Sequence, residues 1–216
     1  MQNIAQAISW VFNPLIMPVY GLLLVMYIPS DHLTYNPYCM YYLPVENKMS
    51  IIYIFLLFGF AAPGLSFYLL QRRNIIQSIE MDSRKERMIP IIIMFAYCLM
   101  LYLLLLYLSK GSTLLPKYIY ALPLSGVLLT FVFFFLNKWK KISIHAAASG
   151  ILVGFVLAYI LGHVEFELIM LAIAIVISGL VMSARLFLEK HTLTETIIGW
   201  VIGVFITFSV NYFYFY

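Results

Sequence analysis

Seven apolar runs dominate this chain, at about residues 9–29, 51–70, 89–108, 118–136, 146–163, 166–182 and 196–214. Most approach the roughly 20 residues that a helix needs to cross the hydrocarbon of a bilayer. Backbone N–H and C=O groups cannot be left unpaired in lipid, so such runs must become helices or strands of a closed barrel. Barrel strands alternate apolar and polar residues, and these runs are continuous. Composition agrees, with 64% hydrophobic residues, 10% charged residues and a mean hydropathy of +0.97, far from the soluble average. The expected fold class is all-α, a polytopic transmembrane helix bundle of six to seven spans. It forms a single membrane domain over 1–216, with residues 1–81 contributing N-terminal spans.

The first run is the least regular. Met1 to Trp10 carries no Lys or Arg, so it lacks the charged start of a cleavable signal peptide and is expected to be retained. Pro14 and Pro18 lie within the first span and Pro63 interrupts the second. The first span is therefore expected to be kinked or re-entrant, with neighbouring helices satisfying the freed backbone groups. Cys39 and Cys98 share no metal-like spacing and are not expected to meet. The tyrosines of the 35–42 loop, with Tyr212, Tyr214 and Tyr216, read as interfacial aromatics.

Seven crossings put the loops after spans 2, 4 and 6 on one face. That face holds Arg72, Arg73, Arg84, Lys85, Arg87, Lys138, Lys140, Lys141, Arg185 and Lys190, against Lys48, Lys110 and Lys117 on the other. The net charge of +4 is small and forms no run suited to nucleic acid. Taken alone, the positive-inside rule puts the basic face in the cytoplasm.

Three polar clusters share this face. One runs from Asp82 to Arg87 before Pro90, and the second from Lys141 through Ser143 to His145. The third places Arg185, His191 and Glu195 within eleven residues, directly after Ser183-Ala184. Ionisable groups at a membrane boundary are costly to keep without a task. If a helix has begun by His191, then Glu195, four residues on, shares its face and can hold one ring nitrogen. The other nitrogen keeps its lone pair and can act as a nucleophile, while Arg185 can grip an anion. Gly150 and Gly154 in the fifth span and Gly199 and Gly203 in the seventh have the spacing that lets helix backbones approach closely. If those spans touch, His145 and His191 enter the membrane side by side. His163, Glu165 and Glu167 fall on the opposite face and read as loop charges.

These residues resemble the type 2 phosphatidic acid phosphatase (PAP2) superfamily, which also includes vanadium haloperoxidases. Its signatures are Lys-x6-Arg-Pro, Pro-Ser-Gly-His and Ser-Arg-x5-His-x3-Asp. The third is nearly intact as Arg185, His191 and Glu195, with Glu for Asp and the serine one place early at Ser183. The second survives as Ser143 and His145, with Ile144 in place of glycine. The first survives loosely as Arg84, Lys85, Arg87 and Pro90, because Ile89 precedes the proline. Motif order is kept, and the resemblance covers residues 82 to about 203, making 82–216 a PAP2-like catalytic core.

The resemblance implies a metal-independent lipid phosphatase that needs no cofactor. His191 would attack phosphorus, His145 would protonate the leaving alcohol, and Glu195 would orient His191. Arg185, with Lys85 or Arg87, would balance phosphate charge, Ser143 could donate a hydrogen bond to phosphate, and Arg84 and Lys141 complete the cationic set. The implied partner is a membrane-embedded phospholipid or polyprenyl phosphate substrate. Alternatives are a lipid phosphotransferase and a non-catalytic phospholipid binder or transporter. The resemblance places the active site on the periplasmic face of a bacterial inner membrane, against the charge bias.

Overall fold

The computed structural model describes residues 1–31, 39–81, 83–109 and 115–215, so Asp82, Lys110, Tyr35, Tyr38 and Tyr216 lie outside the described residues. Among the described residues the elements are helices without strands, as the runs predict: α1 (Gln2–Val11), α2 (Met17–Tyr27), α3 (Val45–Leu56), α4 (Ala62–Arg72), α5 (Met88–Ser109), α6 (Lys117–Leu136), α7 (Ile144–Leu161), α8 (Ile169–Phe187) and α9 (Leu193–Phe215). Six segments are long and apolar enough to cross a membrane, with α3 and α4 joined as one of them, Val45–Arg72. The chain is an integral membrane helix bundle.

The first apolar run is not a seventh full-length helix. Pro14 disfavours helical backbone at Asn13, and the Asn13 side chain accepts from the backbone N–H of Leu15 at 3.0 Å in a local turn. Helix resumes at α2, with Pro18 in its first turn, where a missing N–H costs nothing. At ~1.5 Å per residue, the 11 residues of α2 reach only about half the hydrocarbon thickness. In the second run Pro63 follows a π-helical turn at Leu57–Ala61. A proline ring clashes with the carbonyl four residues back, and the widened turn relieves that contact at Gly59.

Helix α7 is the buried axis of the bundle, with an unbroken buried face from Ala146 to Val156. Its closest partner is α9. A Cβ at Gly154 would meet the Val204 carbonyl oxygen at 2.5 Å, and one at Gly199 would meet the Ser143 carbonyl oxygen at 2.7 Å. Gly150 and Gly203 face the backbones of Trp200 and Ala147 still more tightly. The small-residue spacing thus brings the fifth and seventh runs together. Ser178 of α8 donates to Ser149 of α7 at 3.0 Å and accepts from Trp200 of α9 at 2.6 Å, pinning three helices in one register.

Candidate active site

The end of α8 sets the spacing of the third motif. Arg185 lies in the last turn of α8 and is buried. Glu189 then takes a left-handed φ of 52°, and the backbone N–H of Lys190 returns to the Arg185 carbonyl at 3.2 Å. This left-handed reversal folds the chain back, so His191 joins Arg185 in lining one cavity.

The condition of a helix already begun at His191 is not met, because α9 begins at Leu193. The His191–Glu195 pair forms nonetheless, with Nδ1 to Oε2 at 3.0 Å. A reciprocal cap positions it: Thr192 Oγ1 accepts from the Glu195 N–H at 3.3 Å, and Glu195 Oε2 accepts from the Thr192 N–H at 3.2 Å. An ionised carboxylate only accepts, so Nδ1 carries the ring proton and Nε2 keeps a lone pair. Burial, the largest cause, pulls the His191 pKa down to about 4, with Arg87, Arg185 and Lys141 adding to it while Glu195 opposes. The imidazole is therefore neutral at pH 7.

The second motif joins the third through backbone. Ser143 N donates to the Glu195 carbonyl at 3.3 Å, and Ser143 Oγ caps α7 by accepting from the Ala146 N–H at 3.3 Å. Ser143 is fully buried. His145, in the first turn of α7, lines the same cavity as His191, and the Ser9 backbone of α1 reaches its ring.

Burial separates the cations of the loose first motif. Arg87 is buried, donating from Nε to the Met81 carbonyl at 2.8 Å and from Nη1 to the Ile142 carbonyl at 2.9 Å, and it lines the cavity. Arg84 is exposed and donates to the Trp139 carbonyl at 2.8 Å, tying the loop before α5 to the loop after α6. Lys85 and Ser183 are exposed, and neither lines the cavity. Lys141 is half-buried, donates to the Lys190 carbonyl at 3.3 Å and acts on His191 through its charge.

The cavity has a volume of about 200 Å³. Arg87, His145, Arg185 and His191 supply cations and imidazoles, while Val19, Phe55, Leu101, Leu122 and Phe133 are among its apolar walls. Sequence reasoning missed the contribution of the N-terminal segment. Asn13, Pro14 and Leu15, in the break between α1 and α2, and Phe67 of α4 also line it. The prolines marked the break without indicating that it faces the histidines.

A second cluster lies at the other end of α7. Asp31, Cys39 and His163, all buried, each offer a ligand atom within 4.8 Å of the others. The expectation that His163 is a loop charge is corrected, since its ring stacks on Tyr159 at 3.9 Å between centroids and is 6% exposed.

Neither a curated protein nor a solved structure matches the chain. Residues 116–216 match the family model described as the PAP2 superfamily, a group that consists generally of phosphatases. The match spans α6 to α9 and includes Ser143, His145, Arg185, His191 and Glu195, stopping short of Arg87. Over this C-terminal stretch, the chain is similar to the PAP2 superfamily.

Proposed function

We propose that this protein is a lipid phosphatase that hydrolyses a phosphomonoester or diphosphate through a phosphohistidine intermediate. The observation that carries the reading is the cavity itself. Two buried arginines and two histidines share it with a long apolar wall drawn from membrane helices. A phosphate seated at Arg87 and Arg185 would leave an attached acyl or prenyl chain against Phe55, Leu101 and Phe133. A soluble phosphate ester has no use for that wall. Residues 82–216 supply the catalytic groups, and residues 1–81 help enclose the chain.

In the reaction, His191 Nε2 attacks phosphorus in line with the leaving oxygen and forms an N–P bond. The ester P–O bond breaks, and its electron pair takes a proton from His145, which is charged once the anionic phosphate is seated beside it. Charge on the equatorial oxygens is balanced by Arg87 and Arg185, which lie fixed in a water-poor site. Glu195 holds the imidazolium character that develops on His191. His145 then removes a proton from water, the hydroxide attacks phosphorus, and the N–P bond breaks to release phosphate. Ser143 caps α7 and keeps the His145 turn in place, and Lys141 adds positive potential at the rim.

The site is read as facing the periplasm of a bacterial inner membrane, a reading supported by resemblance to the family. The opposing charge bias loses weight because Arg87, Lys141 and Arg185 serve the site. The test is phosphate release by purified protein, with no added divalent cation, across phosphatidic acid, phosphatidylglycerophosphate, polyprenyl diphosphate and a water-soluble phosphate ester. Release from a lipid, inhibition by vanadate and weak action on the soluble ester are expected. Lipid binding without release would favour the binder or transporter, and appearance of phosphate on an acceptor lipid would favour the phosphotransferase.

A further inference from the structure

We propose that Asp31, Cys39 and His163 form a buried site for a divalent cation of the zinc class, at the end of α7 remote from the phosphate cavity. The three come from separate parts of the chain: the turn after α2, the segment before α3, and the residues just past α7. Their ligand atoms lie within 4.8 Å of one another, and all three residues are buried. A thiolate, an imidazole and a carboxylate within reach of one point supply three of the four ligands that zinc takes.

The histidine is prepared for this role. Its Nδ1 lies 2.7 Å from the Tyr159 carbonyl, which can only accept, so Nδ1 carries the proton. Nε2 is buried, faces Asp31 Oδ2 at 3.8 Å and has the Cys39 thiol as its other neighbour, so in the neutral ring its lone pair is turned to both donors. A ring N–H fixed on a backbone carbonyl with the other nitrogen turned toward an anionic oxygen is how metal-binding imidazoles are oriented. A cation between this lone pair and the carboxylate would be attracted to both.

The other two donors are also held in place. Asp31 takes a left-handed φ of 50°, and its Oδ1 accepts from the backbone N–H groups of Val164 and Glu165, both at 3.1 Å. Oδ2 is the oxygen turned to His163. Cys39 Sγ lies 3.1 Å from Ser30 Oγ, which is 2.9 Å from Tyr159 OH, so two hydroxyls border the sulfur. A bound cation would staple the segment around residues 31 and 39 to the end of α7, holding α2 against the bundle. Although α2 also walls the phosphate cavity through Val19, the three ligands lie at the far end of α7, so the staple is structural. It does not rest on the phosphatase reading.

The experiment is elemental analysis of the full chain, purified in detergent with a tag that binds no metal, after dialysis against Zn²⁺ and then metal-free buffer. About one zinc per chain is expected, together with a rise of roughly 5 °C or more in unfolding temperature over chelator-treated protein. Co²⁺ should replace it and give a thiolate-to-cobalt charge-transfer band, absent in Cys39→Ser. His163→Gln should lose the zinc while still eluting as folded protein, and His191→Asn should keep it, so loss of phosphatase activity leaves this result untouched. If wild-type protein retains no zinc and shows no thermal shift with Zn²⁺ or Co²⁺, the site does not exist and the trio is a hydrogen-bonded clamp. Zinc that survives in both Cys39→Ser and His163→Gln would equally overturn the assignment.

Discussion

The two ends of α7 each hold a histidine prepared in the same way, and the surroundings then divide their chemistry. At one end His191 gives Nδ1 to Glu195 at 3.0 Å, and at the other His163 gives Nδ1 to the Tyr159 carbonyl at 2.7 Å. Both keep an Nε2 lone pair. Around His191 stand the buried Arg87 and Arg185 and a cavity with space for a ligand. Around His163 stand a carboxylate and a thiol, packed between aromatic rings. Cations beside a lone pair favour an incoming anion and keep the imidazole neutral, whereas anionic donors beside one favour a cation. Fixing the tautomer is shared, and neighbouring charge and available volume are what differ between the two ends.

The comparison breaks most sharply at His191. His191→Asn is expected to reduce phosphate release by on the order of 10³-fold or more, because an amide nitrogen offers no lone pair for attack. Lipid binding and unfolding temperature should stay near wild type. Release at the wild-type rate would move the nucleophile elsewhere and remove the contrast between the two ends.

Next come the arginines. Arg185→Gln or Arg87→Gln should each cost ~10²–10³ in kcat, the scale of losing one fixed donor to a transition-state oxyanion. Arg84→Gln should change kcat far less, since Arg84 is exposed and occupied with the Trp139 carbonyl. Equal losses at Arg84 and Arg87 would contradict the assignment of the buried guanidinium to phosphate.

These arginines also show what the sequence can and cannot convey. Arg185, His191 and Glu195 were legible because local chain geometry, a helix end and a helix start, compresses them into one stretch. Even there the mechanism of contact differed, since a Thr192–Glu195 cap rather than a shared helical face aligns the pair. The approach of α7 to α9 was legible from Gly150, Gly154, Gly199 and Gly203, because only small residues permit that backbone distance. The choice of Arg87 over Arg84 and Lys85 was not, as it depends on the Met81 and Ile142 carbonyls that hold its guanidinium. Asp31, Cys39 and His163 were wholly illegible as a group, because the bundle and not a local motif brings them together.

A smaller effect is expected at Glu195. Glu195→Gln should slow turnover by ~10–10²-fold, the usual range when a residue that orients a functional histidine is altered. The amide can still accept from Nδ1 but does not stabilise the charge that develops on the ring. Its thermal stability should drop only slightly, because the amide oxygen can also cap α9. A variant as inactive as His191→Asn would mean that the carboxylate does more than orient the ring.

The gentlest test is pH. Ordinary histidine titrates near 6.5, whereas burial and the surrounding cations hold His191 at about 4. Its lone pair is therefore present through pH 5.5, and the rate of phosphoenzyme formation, corrected for substrate ionisation, should change only a few-fold between pH 7 and 5.5 and fall as pH drops through about 4. The sign follows from which form is favoured: the folded site disfavours the imidazolium, so protonation is delayed to lower pH. Between about 6.5 and 4 the unfolded chain takes up a proton that the folded chain refuses, so this group's contribution to stability declines as pH falls through that window. The neighbours sharpen the test in opposite directions. Arg185→Gln removes a cation and should move the acid limb upward, whereas Glu195→Gln removes the charge that favours the imidazolium and should move it downward. Single-turnover rates for the three proteins across the acid range decide the matter, and a common limb near 6.5 would mean that neither burial nor the arginines set the state of the nucleophile.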